Sequence, residues 1–178
     1  MPIPLPPETV ILERMRDIAI AANIHTVLGY GDPFVVRHYR HRNTLKEEKP
    51  GIALNLIQTE IDNERGQMHT HSEQCWAMTV RVVVDLSLLP EQPVGTAAGD
   101  SNDVTGWDRL LAAARVVAGE YVKMGSDLRN LVDDVLYGDI DPDEDSQPDE
   151  GRLAIDVIVL YRTYIEDPML LLGPETNA

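Results

Sequence analysis

The feature that most constrains this fold is one long segment in which apolar side chains take every second position. The apolar positions are Trp76, Met78, Val80, Val82, Val84, Leu86 and Leu88. Successive side chains of a strand point to opposite faces, so this spacing predicts a long strand with one buried face. Because a sheet must bury its apolar face against another layer, helices or a second sheet have to cover it.

Two other segments also alternate. Ile52, Leu54 and Leu56 predict a half-buried strand, and the polar stretch Glu60–Glu73 after it predicts a hairpin with a projecting loop. From Leu153 to Tyr161 both faces are largely apolar. That pattern is typical of a central strand, which is covered by helices on one side and by something else on the other.

Helical spacing appears in three places. Apolar residues recur at helical intervals from Thr9 to Ala22 and from Trp107 to Tyr121, and Thr105 is a candidate cap for the second helix. Ser126 is a candidate cap for a shorter helix in which Leu128, Leu131, Val132 and Val135 point inward.

The remaining segments are predicted to connect these elements. Phe34–Val36 is a candidate short strand, and Arg37–Asn43 is predicted to be a surface loop. Pro90–Thr105 is rich in glycine and proline and is predicted to be a connector.

The order of elements predicts an α+β fold in which helices pack on one face of a mainly antiparallel sheet. The chain of 178 residues is long enough for one domain and short for two. We therefore predict a single domain over residues 1–178, with a core at 8–168 and extended termini at 1–7 and 169–178.

The charge is strongly negative and unevenly distributed. The net charge is −15; residues 1–81 have 9 basic and 10 acidic side chains, whereas residues 82–178 have 6 and 20. A chain this acidic repels nucleic acid and anionic membranes unless a local basic patch overrides the field. The apolar runs are far too short to span a bilayer, so no membrane partner is expected.

Two oppositely charged clusters predict a protein interface. The only basic cluster contains Arg37, Arg40 and Arg42, and it could contact either phosphate or an acidic protein surface. The acidic segment Asp139–Gly151 holds seven carboxylates, including those of Asp141, Asp143, Glu144 and Asp145. We interpret the basic cluster and the acidic segment as the two halves of an interface between copies of the chain.

The acidic segment also resembles a calcium-binding loop in its spacing. However, Glu144 occupies the position where the sharp turn of such a loop needs glycine. A solvated acidic loop is the preferred interpretation, and no metal site is predicted.

Two further groups are candidate docking residues. His69 and His71, two apart, have the spacing of a metal-binding pair, but exposed loop histidines are the preferred interpretation. The apolar residues just after the last strand are Met169, Leu170, Leu171 and Leu172. We predict that both groups dock a partner.

Catalytic motifs are missing from the sequence. It has no Gly-x-Ser-x-Gly, P-loop or Gly-x-Gly-x-x-Gly motif. Its single cysteine, Cys75, excludes an intrachain disulfide and any multi-cysteine metal site. We therefore expect a protein that is not an enzyme and that needs no cofactor.

Several local features together resemble a known family. They are the strand Pro50–Leu56, the tryptophan-containing strand that ends at Pro90, two helices, an acidic stretch and the closing strand Ile155–Tyr164 followed by Asp167-Pro168. Over residues 8–168 the chain resembles the tail terminator proteins of long-tailed bacteriophages, of the lambda minor tail protein U type. It departs from them in its longer connector, proline-rich start and extended apolar tail.

The resemblance implies an α/β subunit that closes into a hexameric ring on the phage tail. Such a ring caps the tail tube, stops its polymerisation and offers a surface to the head-completion or connector protein. DNA passes through its lumen without specific binding, and the expected location is the virion, assembled in the host cytoplasm. Two alternatives stay open: a head–tail connector of the same kind of particle, and a small metal- or ligand-binding α+β protein.

Overall fold

The computed structural model describes residues 5–29, 31–39, 50–66, 72–86, 106–140 and 151–174. In chain order, its elements are α1 (Pro7–Ala21), α2 (Ile24–Val27), β1 (Val35–Tyr39), β2 (Gly51–Ile61), α3 (Asn63–Gly66), β3 (Glu73–Asp85), α4 (Gly106–Val122), β4 (Asp134–Ile140), β5 (Arg152–Tyr164) and β6 (Leu171–Leu172).

The strands form one sheet in the order β1-β2-β3-β5-β4, and β6 pairs with β5 beyond the start of β4. The β1–β2 pair is parallel and the other pairs are antiparallel. The predicted α+β class with a mainly antiparallel sheet is confirmed. The central position of β5, between β3 and β4, is confirmed as well.

The main core lies between one face of the sheet and the helices α1, α2 and α4. The alternating residues of β3 and β5 face it, and the helices contribute Ile11, Met15, Leu110 and Tyr121, among others. On the opposite face, the small side chains Ala53, Val83 and Ala154 form a second buried cluster. The sequence periodicity predicted that the apolar faces of the two long helices and of β3 would be buried, and the core contains these faces.

Three boundaries differ from the sequence predictions. Helix α1 begins at Pro7. Proline suits the first helical position because the backbone N–H that it lacks would have no partner within the helix there. Strand β2 extends into the predicted loop as far as Ile61, past an irregularity between Leu56 and Gln58 that shifts the register. Residues Leu171 and Leu172 of the predicted extended terminus form β6.

The prediction of a surface loop at Arg37–Asn43 is wrong for its first three residues. Arg37, His38 and Tyr39 belong to β1, where Arg37 pairs with Ala53 in the parallel ladder. The ladder bonds main-chain groups, so a basic sequence does not prevent it at an edge of the sheet.

The prediction of a short helix from Ser126 to Val135 is also wrong, because turns lead there directly into β4. Ser126 Oγ does accept a hydrogen bond from the Arg129 N–H at 3.2 Å, as a helix cap would. The Asp133 N–H then donates to the Leu160 carbonyl at 2.9 Å, which places the following chain on β5. Of the predicted inward residues, Leu128, Val132 and Val135 are nevertheless buried, and Leu131 is half-buried.

Replacing Tyr121 with phenylalanine is expected to raise the free energy of unfolding by about 1 kcal/mol or more. Tyr121 is fully buried, and its hydroxyl has no hydrogen-bond partner in the described part of the chain. Urea unfolding measures the change. The matched control is Tyr161→Phe, which should lower stability because the Tyr161 hydroxyl donates to Glu8 Oε1 at 2.7 Å. A loss of stability in Tyr121→Phe would contradict the prediction.

Candidate subunit interfaces

Among the strands that the structure describes, β1 and β4 are the outermost and form the two opposite edges of the sheet. The exposed Arg37 lies on β1, and the sequence continues from there into the rest of the basic cluster. The exposed Asp139 lies near the end of β4, and the sequence continues into the acidic segment. The fold therefore places the beginnings of the two oppositely charged clusters at opposite edges of one sheet.

The β4 edge also exposes large apolar side chains. The exposed fractions are 42% for Leu136, 51% for Tyr137 and 43% for Ile140. An exposed edge strand with apolar side chains invites pairing with another chain unless charges, prolines or a cover protect it. Sequence reasoning missed this edge because it extended a helical interpretation to Val135. No polar–apolar alternation marks this strand in the sequence, because Val135, Leu136 and Tyr137 are apolar in succession.

The beginning of β4 is fixed by Arg129. Its Nε donates to the Val122 carbonyl at 2.9 Å and its Nη2 donates to the Val135 carbonyl at 3.3 Å. The same Nη2 lies 2.9 Å from Asp134 Oδ1. One guanidinium therefore ties the end of α4 to the first residues of the edge strand, which holds β4 in a defined position.

The middle of β4 approaches β5 closely at Gly138. A Cβ atom at this position would lie 2.9 Å from the Asp156 Cβ and 3.2 Å from the Asp156 carbonyl oxygen. Only glycine fits there without a shift of the backbone. The register shift between Tyr137 and Ile140 occurs at the same place, and it changes the course of the edge just before the acidic segment.

A buried ionic network lies where β5, β6 and the chain before β4 meet. Arg162 Nε donates to both oxygens of Asp133 at 3.1 and 3.0 Å, and its Nη1 donates to Glu73 Oε2 at 2.8 Å. Its Nη2 donates to the Gly173 carbonyl at 3.1 Å. Arg65 adds a second cation to Asp133, at 2.8 Å. The network joins five parts of the chain: α3, β3, the residue before β4, β5 and the residue after β6.

Burial alone would lower the pKa of Arg162, but the hydrogen bonds to Asp133 and Glu73 raise it above its ordinary value. The guanidinium is therefore charged at every pH at which the protein folds. Its side chain is only 8% exposed and that of Asp133 only 5%. Groups buried this deeply and bonded this completely are suited to holding the fold together.

Two more ion pairs cross the sheet on the same face. Arg81 Nε lies 2.8 Å from Asp156 Oδ1, and Arg152 Nη2 lies 2.9 Å from Asp85 Oδ2. Both pairs join β3 to β5 at positions that are directly opposite in the register. They lie on either side of the cluster formed by Ala53, Val83 and Ala154. This face of the sheet therefore carries small buried side chains between two ion pairs.

Cys75 lies on this face beside the ionic network and is fully buried. Burial raises the pKa of the Cys75 thiol, and the nearby Arg65 lowers it by a smaller amount. The thiol is therefore protonated at neutral pH and inaccessible to solvent, and a thiol in this state reacts slowly with electrophiles.

The predicted docking tail is divided between the fold and the surface. Leu171 packs against the core, and Leu172 pairs with Arg162 in β6. Leu170 is 49% exposed, and Met169 is half-buried. The tail therefore contributes a strand to the sheet and leaves one large apolar side chain in contact with solvent.

Exposed apolar residues collect at the end of the sheet where this tail lies. Ile61, Tyr164 and Ile165 are 47%, 39% and 54% exposed. The Ile165 N–H donates to the Ser72 carbonyl at 2.9 Å, so the end of β5 lies beside the β2–β3 hairpin. The hairpin segment that contains His69 and His71 connects to the sheet at this end.

Several predicted site residues lie outside the residues that the structure describes. They are Arg40, Arg42, His69, His71, Asp141, Asp143, Glu144 and Asp145. The predicted connector Pro90–Thr105 lies outside them too. Within the described ranges, no group of three or more histidine, cysteine or acidic side chains is placed to hold a metal ion.

Comparison with known proteins finds no family model that matches the chain and no curated protein with significant sequence similarity to it. Among the described helices, none combines the length and the apolar character that crossing a membrane requires.

Raising the pH above about 10 is expected to destabilise the fold through Tyr121 and Tyr161, the buried tyrosines among the described side chains. Burial raises the pKa of Tyr121, and burial together with the hydrogen bond to Glu8 raises the pKa of Tyr161. Below the unfolded-chain pKa their contribution to stability is complete. Above it, the unfolded chain releases protons that the folded state retains, so stability falls by up to about 1.4 kcal/mol per pH unit for each tyrosine.

Thermal unfolding between about pH 8 and pH 11 measures this loss. The Tyr121→Phe variant removes one of the two groups and should show a shallower fall of the midpoint. An identical fall in the variant and in the parent protein would contradict the assignment to Tyr121.

Proposed function

We propose that this chain is a structural virion protein of the tail terminator type. Copies of it form a homo-oligomeric ring, hexameric by the family resemblance, that caps the tail tube of a long-tailed phage. The ring ends tube polymerisation and presents a surface for head–tail joining. Its partners are other copies of itself, the tail tube protein and the head-completion protein, and it carries out no chemical reaction.

The observation that carries this proposal is the placement of opposite charges at opposite edges of one sheet. A ring needs a head-to-tail interface, in which one surface of a subunit complements a different surface of the next. Arg37 on β1 and Asp139 on β4 begin two such surfaces. An isologous dimer formed through either edge would instead place like charges against each other, which is unfavourable.

A second observation supports docking along the axis of the ring. The apolar side chains Ile61, Tyr164, Ile165 and Leu170 lie at one end of the sheet, away from both of its edges. A ring that uses its edges for closure leaves this end available for another component. A head–tail connector would share both features, and it differs from a terminator only in its neighbours.

Light scattering after size exclusion, followed by negative-stain microscopy, tests the ring. We expect particles with a fixed number of copies and a central opening, at concentrations from micromolar upward. A monomer at every concentration and salt level would contradict the proposal.

Addition of the protein to polymerising tail tube subunits tests the cap. A terminator should bind to tube ends and shorten the tubes, whereas a connector should leave tube length unchanged and bind a terminated tail. The matched control is the same protein with Arg37→Glu, which is expected to form the ring poorly.

A further inference from the structure

We propose that neighbouring copies in the ring join by main-chain pairing, with β4 of one copy bonded to β1 of the next. The result is one continuous sheet that passes through all the subunits. This inference rests on the proposed ring and specifies how it closes.

The strand directions permit such pairing. β1 is parallel to β2, and the three following pairings, β2–β3, β3–β5 and β5–β4, are antiparallel. Strand β4 therefore runs opposite to β1. Rotation about an axis along the strands preserves these directions, so β4 of one copy meets β1 of the next in antiparallel orientation. Antiparallel pairing is slightly more stable per residue than parallel pairing.

The lengths and faces of the two strands match. β1 has five residues and β4 has seven, so a ladder across the whole of β1 is possible. On the face opposite the helices, β1 presents Val35 and Arg37, and β4 presents Leu136 and Gly138. These faces align in the register in which Arg37 lies opposite Leu136 and Val35 opposite Gly138, which leaves Asp139 about 10 Å along the edge from Arg37, within reach of its charge at low salt. The exposed Leu136 and Tyr137 of β4 would then lie beside Arg37 and Val36 of the next subunit.

The dimensions leave an opening. Five strands spaced about 4.8 Å apart make each copy about 24 Å wide across the sheet. Six copies, the number that the resemblance implies, give a closed sheet of about thirty strands, and barrels of sixteen or more strands already leave an aqueous channel. In this arrangement the strand ends face the two openings of the ring, and the cluster with Ile61 and Ile165 surrounds one of them.

Cysteine cross-linking tests the pairing. The double variant Val35→Cys/Leu136→Cys is treated with a short bis-maleimide, which spans the roughly 7–8 Å between diagonal neighbours on facing strands. The buried Cys75 should not react in the folded protein. We expect a ladder of covalent oligomers up to the full ring on a denaturing gel. Each single variant should give no cross-linked product, because its cysteine has no reactive partner within reach in the ring. Val35→Cys/Met124→Cys should give no ladder, because Met124 is 83% exposed but lies off both edge strands.

Hydrogen exchange on the unmodified protein provides a second measurement that needs no variant. Amides of β1 and β4 should exchange more slowly in the ring than in the dissociated subunit. If light scattering shows a ring but neither cross-linking nor protection occurs at these strands, edge pairing is wrong and the ring proposal stands. If the unmodified protein forms no ring, the proposed function fails, and edge pairing fails with it.

Discussion

Replacing Arg162 with leucine is expected to lower the free energy of unfolding by about 3–5 kcal/mol, the usual cost of removing one partner from a buried ion pair. The substitution leaves Glu73 without its 2.8 Å partner and leaves Asp133 with Arg65 alone. It also removes the hydrogen bond to the Gly173 carbonyl, which holds the chain just after β6. Urea unfolding measures the stability, and limited proteolysis should show earlier cleavage of the C-terminal segment.

Two variants separate this network from ordinary surface charge. Arg162→Lys retains the charge but lacks the planar guanidinium that donates to three acceptor residues. We therefore expect an intermediate loss of unfolding free energy. Arg16→Leu removes an exposed arginine, 39% accessible, whose partner is its sequence neighbour Asp17, and the loss should stay below about 1 kcal/mol. If Arg162→Leu cost no more than Arg16→Leu, the network would not be what holds these segments together.

The sequence predicts best those elements in which the spacing of apolar residues matches the set of side chains that the fold buries. One face of strand β3 packs against the helices along its length. Apolar residues therefore occupy every second position of this strand, and the sequence shows that alternation. Helices α1 and α4 show their apolar stripes for the same reason. The fold class then follows from the order of these elements.

Strand β4 was not predicted because the same spacing of apolar residues fits both a helix and the observed turns followed by a strand. Leu128, Val132 and Val135 are spaced as on one face of a helix, but here successive turns and the start of a strand bring them to the core. The deciding contact is the pairing of Asp133 and Asp134 with Leu160, which lies far away in the sequence. No local pattern encodes that contact.

The ionic network was unpredictable for a related reason. Glu73, Asp133 and Arg162 come from three distant segments, and only the strand order brings them together. The complementary clusters, in contrast, were visible as charge runs in the sequence. The placement of their first residues, Arg37 and Asp139, at opposite edges required the topology, in which β1 and β4 lie farthest apart among the described strands.

Exchanging the charges of Arg37 and Asp139 is expected to break the ring and then restore it. Arg37→Glu alone places two negative edges together, and Asp139→Arg alone places two positive edges together. Each single variant should raise the concentration needed for assembly by roughly tenfold or more, because like charges across an interface oppose association. The double variant has opposite charges at the interface again, with their positions reversed, and should assemble close to the parent level.

Light scattering at low and at moderate salt measures all four proteins. The effect of the single variants should shrink as salt rises, because exposed charges are screened beyond about 8–10 Å at physiological ionic strength. Circular dichroism serves as the control that each variant keeps its fold. Rescue in the double variant requires the two side chains to act across the same interface. Single variants that assembled normally at low salt, or a double variant as defective as the worse single one, would show that these two edges do not meet in the ring.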